Sequence, residues 1–179
     1  MAKMEMPYTQ HYDEVLRMMT SRGLLLGSYD ASDKPNVMTI GWGSMGSIWG
    51  LPLWMVLVRP SRYTYQCIEH SGAFSVNVPT PQMAHDLAFC GTRSGRDLDK
   101  FAACALTAHK AENVAAPTVA ECPIIYECDV VHHNDVVPDA LADEIQSGAY
   151  PQGDYHRVYF GRIRRATAEP DAVDLLTQG

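Results

Sequence analysis

Arg59, Ser61, Arg62 and Thr64 crowd one turn of the 179-residue chain, within WMVLVRPSRYT from Trp54 to Thr64. An apolar, β-rich run, Trp54 to Val58, stops at Arg59-Pro60, because proline cannot donate to a strand ladder. Tyr63 to Ser71 then has the pattern of a short helix closed by Gly72, with Ser61 placed to cap its start. A strand feeding a helix through such a turn leaves backbone N–H groups unpaired. Guanidinium and hydroxyl groups around that point make an anion site, best suited to phosphate. The alternative is a pair of solvated arginines and a serine that only caps.

Charge distribution bears on the choice. The chain has 14 Lys and Arg against 21 Asp and Glu, for a formal net charge of -7. Yet between Lys34 and Lys110 the only Lys or Arg residues are Arg59, Arg62, Arg93, Arg96 and Lys100. The last three sit in a second Gly/Ser-rich turn, CGTRSGRDLDK from Cys90 to Lys100. Two turns of like composition in a chain short of positive charge suggest one anion held from both sides.

The elements that must position these turns alternate in a β-rich order. Tyr12 to Arg22 carries Val15, Leu16, Met18 and Met19 at helical spacing and ends at Gly23. Strands are predicted at Leu24 to Tyr29, Asn36 to Ile40, Trp54 to Val58, Ala73 to Val78, Ile124 to His133 and Tyr155 to Ala168. In AFSVNV, Phe74, Val76 and Val78 face one side and Ser75 and Asn77 the other. Thr80-Pro81 opens a helix through Met83, Ala84, Leu87 and Ala88, and Asp97 to Ala105 forms a short one. Asn113 to Pro123 reads as irregular, Pro138 to Ser147 as an acidic surface helix or flap, and residues 169–179 as a tail. Strands without regular crossover helices imply a mainly β fold, an antiparallel barrel with α-helical insertions, in a single domain spanning 1–179 with an N-terminal helix region at 1–22.

Composition excludes several classes. With 46% hydrophobic and 20% charged residues the chain is globular rather than disordered. The acidic balance argues against nucleic acid or an anionic membrane as the main partner. No apolar run long enough to span a membrane and no signal-like leader is visible, and five cysteines without a C-x-x-C pair fit reduced thiols, so a soluble cytoplasmic protein is expected. His132 and His133 alternate on a strand and cannot chelate one metal ion. Cys90 and His85 as a nucleophilic pair are outweighed by burial of Cys90 in an amphipathic helix. GTRSGRD lacks the Lys-Ser/Thr of a P-loop, and no G-x-S-x-G occurs. GWGSMG (Gly41 to Gly46) matches G-x-G-x-x-G formally but leads into another strand, and the residue about 20 positions on falls in a basic turn, so a dinucleotide fold is rejected. Those glycines let the backbone pass something flat near Trp42 and Trp49, unless both tryptophans are core residues.

Taken together, NVMTIGWG, V-R-x-S-R-Y-T-Y, F-S-V-N-V-P, C-G-T-R-S-G-R-D-x-D-K-F and G-D-Y-H-x-x-Y-F-G-R-I resemble the flavin reductase-like, flavoredoxin group of FMN-binding split β-barrels. The likeness runs in order from the first helix to Ile163. It implies FMN at the interface of a homodimer on a Greek-key-like barrel. By motif, Met38, Thr39 and Trp42 would lie along the isoalloxazine and ribityl chain. Arg59, Ser61, Arg62 and Thr64 would surround the phosphate and ribityl chain, with Ser94 and Lys100 on the cofactor's polar side. The family usually ends in Gly-Glu where this chain has Gly161-Arg162-Ile163, which leaves the role of the last strand open.

The implied chemistry is the cofactor's: NADH or NADPH gives hydride, and the protein orients the reactants. No metal or obligatory protein acid is expected. His156 is the histidine placed on the substrate side, against an ordinary strand-end role, and the segment 136–151 could gate access. An FMN-dependent reductase of free flavin, ferric complexes or another small-molecule or protein acceptor is therefore expected. A partner-fed FMN electron carrier is the alternative, and a barrel that has lost FMN is a third reading.

Overall fold

The computed structural model describes residues 2–178. Its strands are β1 (Met4–Glu5), β2 (Leu24–Tyr29), β3 (Pro35–Ile40), β4 (Gly43–Ile48), β5 (Leu51–Val58), β6 (Ala73–Val78), β7 (Ala108–Lys110), β8 (Pro117–Val119), β9 (Ile124–Asp135) and β10 (Arg157–Ala168). The helices are α1 (Tyr12–Ser21), α2 (Tyr63–Ser71), α3 (Ala84–Thr92), α4 (Lys100–Ala103), α5 (Asp143–Ala149) and α6 (Ala172–Thr177). Strands pair antiparallel in the order β3-β2-β6-β9-β10-β5-β4, with β1 on β10, giving an eight-stranded sheet beside a β7–β8 hairpin. The expected mainly β, antiparallel architecture with inserted helices is therefore observed. No helix of the described residues is long and apolar enough to cross a membrane.

Burial on both faces explains the near-continuous apolar strands. Leu24 and Leu26 of β2 join Trp54, Val56, Phe74, Val76 and Tyr126 in the main core. Leu25, between them, packs with Val37, Leu87, Cys90 and Phe101 under α3 and α4. β6 is buried along its whole length. Its polar face is satisfied by backbone: Ser75 Oγ donates to Pro117 O (2.5 Å), and Asn77 Oδ1 accepts from Val119 N (2.9 Å). Those bonds seat β8, so the stretch expected to be irregular contains a strand.

Four other expectations are corrected. Gly43–Ile48 is a strand, turned back onto β5 through Trp49 and Gly50, both at positive φ (56° and 69°), the geometry of a two-residue hairpin. Trp42 and Trp49 are exposed, so neither is a core tryptophan; that position belongs to Trp54. The C-terminal stretch is not a bare tail: α6 buries Ala172 and Leu176 and packs on α1. The helix expected over Asp97 to Ala105 contracts to α4, with Asp99 Oδ1 capping Ala102 N at 3.1 Å.

Candidate functional site

The turn between β5 and α2 is formed as the sequence implies. Arg62 N donates to Arg59 O (2.9 Å), helix α2 spans Tyr63–Ser71, and Gly72 closes it at φ 63°. The N-cap position is Arg62, and no side chain caps the first-turn amides. Ser61 is not the cap: its Oγ donates to Asp154 Oδ2 (2.5 Å), and its N–H reaches Asp154 Oδ1 (3.3 Å). A carboxylate from 93 residues away thus claims the hydroxyl expected to cap the helix. The helix start stays open, which is the condition for receiving an anion.

The second basic turn folds onto the first. Arg96 donates to Ser61 O (3.0 Å) and lies over the Tyr63 ring at 5.3 Å. Between the turns is a cavity of about 110 Å³ lined by Ser61, Arg62, Thr64, Arg93, Ser94 and Lys100, with Met38 at its edge. Thr64 is fixed because its Oγ1 accepts from Asn36 Nδ2 at 2.8 Å. Lys100 is 5% exposed, and its ammonium donates to Cys90 O at 2.9 Å. Burial pulls its pKa below the ordinary value, and the Arg62 guanidinium adds to the effect. An ammonium has three donors, so one carbonyl leaves it short of partners in a desolvated place. Arg62 and Arg93 make no side-chain hydrogen bond or ion pair among the described residues. Phosphate at this point would supply the missing acceptors, so the donor set fits the anionic end of FMN.

Met38 and Arg62 also line a second cleft of about 210 Å³, with Thr39, Trp42, Leu57, Arg59 and His156. The two spaces therefore adjoin across Met38 and Arg62, the first more enclosed and more strongly cationic, the second more open. Thr39 is anchored by donation to Leu87 O at 2.6 Å. The register Arg157↔Val58 between β10 and β5 brings His156 and Arg59 side by side. Arg59, however, turns its guanidinium to the flap: it donates to Ala149 O (2.8 Å), Asp154 O (3.0 Å) and Gly153 O (3.4 Å) and lies over the Tyr150 ring. It contributes charge to the cleft while its hydrogen bonds hold the 149–154 backbone.

His156 is 8% exposed, packs on Trp42 at 5.0 Å between centroids, and has its Nδ1 2.7 Å from Tyr150 Oη. Its pKa is lowered from 6.5 to about 4, first by burial and then by Arg59 and Arg62, with Asp154 acting in the opposite sense. Between these values the unfolded chain binds the extra proton, so stability is lost as pH falls from about 6.5 towards 4. At about 1.4 kcal/mol per pH unit this amounts to at most about 3–4 kcal/mol. His156→Gln is therefore expected to narrow the stability difference between pH 7 and pH 4.5, measured by urea unfolding. An unchanged difference would show that His156 charges freely in the fold.

Every residue assigned to the cofactor from sequence, and His156, thus lies on one of the two adjoining cavities. Asn36 and Tyr150 were not singled out. Asn36 belongs to the NVMTIGWG motif that flagged Met38, whereas Tyr150 sits in a flap with no motif.

A family model for the flavin reductase like domain matches residues 16–178. The chain belongs to this family. Among curated proteins it is 37% identical over 90 residues to an "uncharacterized protein" of Archaeoglobus fulgidus, covering 50% of this chain and 50% of that protein. The match thus spans only half of that relative's length. Among solved structures it is similar to flavoredoxin of Desulfovibrio vulgaris, with TM-score 0.68 and 27% identity over 83% of this chain and 70% of that one. It is also similar in fold to an FMN-binding domain of a flavin reductases-like enzyme from Shewanella baltica, with TM-score 0.63 and 20% identity over 93% and 76%. The flavin reductase-like chain thus has the split-barrel fold of these neighbours.

Proposed function

We propose that the chain binds FMN along the two adjoining cavities and passes electrons from NADH or NADPH to free flavin, a ferric complex or another acceptor. The observation that carries this is the pairing of Arg62 and the under-partnered, buried Lys100 in one cavity that adjoins a second, more open one lined by Trp42 and His156. FMN, when bound, supplies the two-electron chemistry. The protein's own part is positional. Arg62, Ser94 and Lys100 hold the phosphate; Met38, Thr39 and Trp42 orient the ring system; the flap limits water at the open end.

A second reading is favoured by the likeness to flavoredoxin: an electron carrier fed by a protein partner. A homodimer is part of the proposal. Trp49 is 62% exposed and forms a ring cluster with His132 and Phe160, a surface suited to a second copy.

The experiment is an absorption spectrum of the purified chain, alone and after FMN addition, followed by anaerobic NADH or NADPH. Flavin bands that bleach promptly support the reductase. Bands that stay oxidised support the carrier, and no flavin binding after soaking overturns both.

A further inference from the structure

The flap residue Tyr150 has no role in anion binding, yet it is 5% exposed and tightly held. Its ring stacks on Tyr155 at 4.8 Å, and Arg59 lies over it at 5.1 Å while donating to the neighbouring Ala149 carbonyl. Its hydroxyl has one hydrogen-bond partner among the described residues, His156 Nδ1 at 2.7 Å. The His156 ring in turn has no other hydrogen bond among the described residues, so Nε2 is the ring nitrogen left for the cleft it lines with Trp42.

Two proton arrangements are possible across this pair. If Nδ1 carried the proton, it would donate to the phenol oxygen, and the phenolic O–H would be left without an acceptor in a buried place. If the phenol donates, both groups are satisfied and Nε2 carries the ring proton. The charges of Arg59 and Arg62 oppose a second proton on the ring. We propose that Tyr150 is a positioning residue that locks His156 as the neutral Nε2–H tautomer, so that the cleft beside Trp42 presents one uncharged donor to a carbonyl or carboxamide oxygen of the redox substrate. The tautomer follows from this pair alone; the substrate assignment rests on the function proposed above. It also gives the flap a task other than gating: Arg59 fixes the flap, the flap fixes Tyr150, and Tyr150 fixes the imidazole.

The test is nitrogen-15 NMR of histidine-labelled protein at pH 7, with and without FMN, the His156 signals being assigned by their loss in His156→Gln. The expected result is a pyrrole-type Nε2 and a pyridine-type Nδ1 in both forms. In Tyr150→Phe both shifts move towards the average of two tautomers, FMN affinity stays within twofold, and the KM for the nicotinamide donor rises about fivefold with kcat little changed. Millimolar 1-methylnicotinamide added to the FMN-loaded chain moves the Nε2–H proton signal, and 1-methylpyridinium, which lacks the carboxamide, does not. A pyrrole-type Nδ1 in the unmodified protein, or shifts untouched by Tyr150→Phe, overturns the positioning role. Equal responses to the two probes overturn the carbonyl assignment. Failure of FMN to bind overturns the proposed function but leaves the tautomer readable in the flavin-free chain.

Discussion

Replacing Arg62 by alanine is expected to weaken FMN binding at least tenfold, read by quenching of flavin fluorescence on titration. The side chain lines both cavities and has no hydrogen bond or ion pair of its own among the described residues, so its loss leaves no orphaned protein partner to confuse the result. A hydrogen bond to a charged group contributes about 1.5–3 kcal/mol, which corresponds to roughly 10- to 150-fold in affinity. Arg62→Lys should fall between, because a point charge keeps the attraction but not the two-pronged geometry. Arg96→Ala provides the contrast. Its guanidinium is already engaged with Ser61 O and the Tyr63 ring, so its removal should loosen the turn and cost less affinity. Unchanged affinity in Arg62→Ala would mean that the anion is held elsewhere.

The site was more legible in the sequence than the frame around it, and the reason is locality. Pro60, Arg62 and Gly72 act within a few positions of themselves, so the β5–turn–α2 unit could be read with its helix bounds. The scarcity of other cations made the pairing of the two turns a question of charge rather than of folding. What escaped depends on contacts distant in sequence. β8 is a strand because Asn77, 42 residues away, accepts from Val119 N. Met4–Glu5 pairs with Ala168 and Thr167 at the other end of the chain. Helix α6 has only six residues and no side-chain cap, and its hold comes from burying Ala172 and Leu176. The 43–48 strand was hidden by glycines and by a turn with tryptophan at positive φ, a residue that turn chemistry does not favour. Ser61 illustrates the limit of local rules most sharply. A serine before a helix is a cap on local grounds, but the carboxylate of Asp154 claims its hydroxyl and ties the turn to the flap. The same long-range tie by Arg59 made the Tyr150–His156 pair unreadable beforehand.

Gly161→Ala is expected to produce a large loss of stability, because of where that methyl would go. Gly161 lies within β10, between β9 and β5, pairing with Val130 and Trp54. A Cβ there would collide with the Phe74 ring and sit 2.8 Å from Cys128 Cβ. Phe74 and Cys128 are both fully buried in the main core, so neither can swing away into solvent. The strand cannot retreat either, since its neighbours hold it on both edges. Overpacking of this kind costs about 1–3 kcal/mol where side chains can adjust, and the upper end applies here. For a domain of this size about 3 kcal/mol lowers Tm by roughly 6–12 °C. Gly46→Ala is the control: a Cβ at that position of β4 meets nothing within 4 Å, so its Tm should stay near that of the unmodified chain. The comparison is made by differential scanning calorimetry on flavin-free protein, so that ligand stabilisation does not enter. Because His156 immediately precedes β10 and Arg59 immediately follows β5, a β10 displaced at Gly161 should also disturb that pair. An altered His156 ring signal in Gly161→Ala would show the displacement spreading along the strand. A Tm equal to that of Gly46→Ala would show that β10 can yield, and would remove the steric reason for glycine at this position.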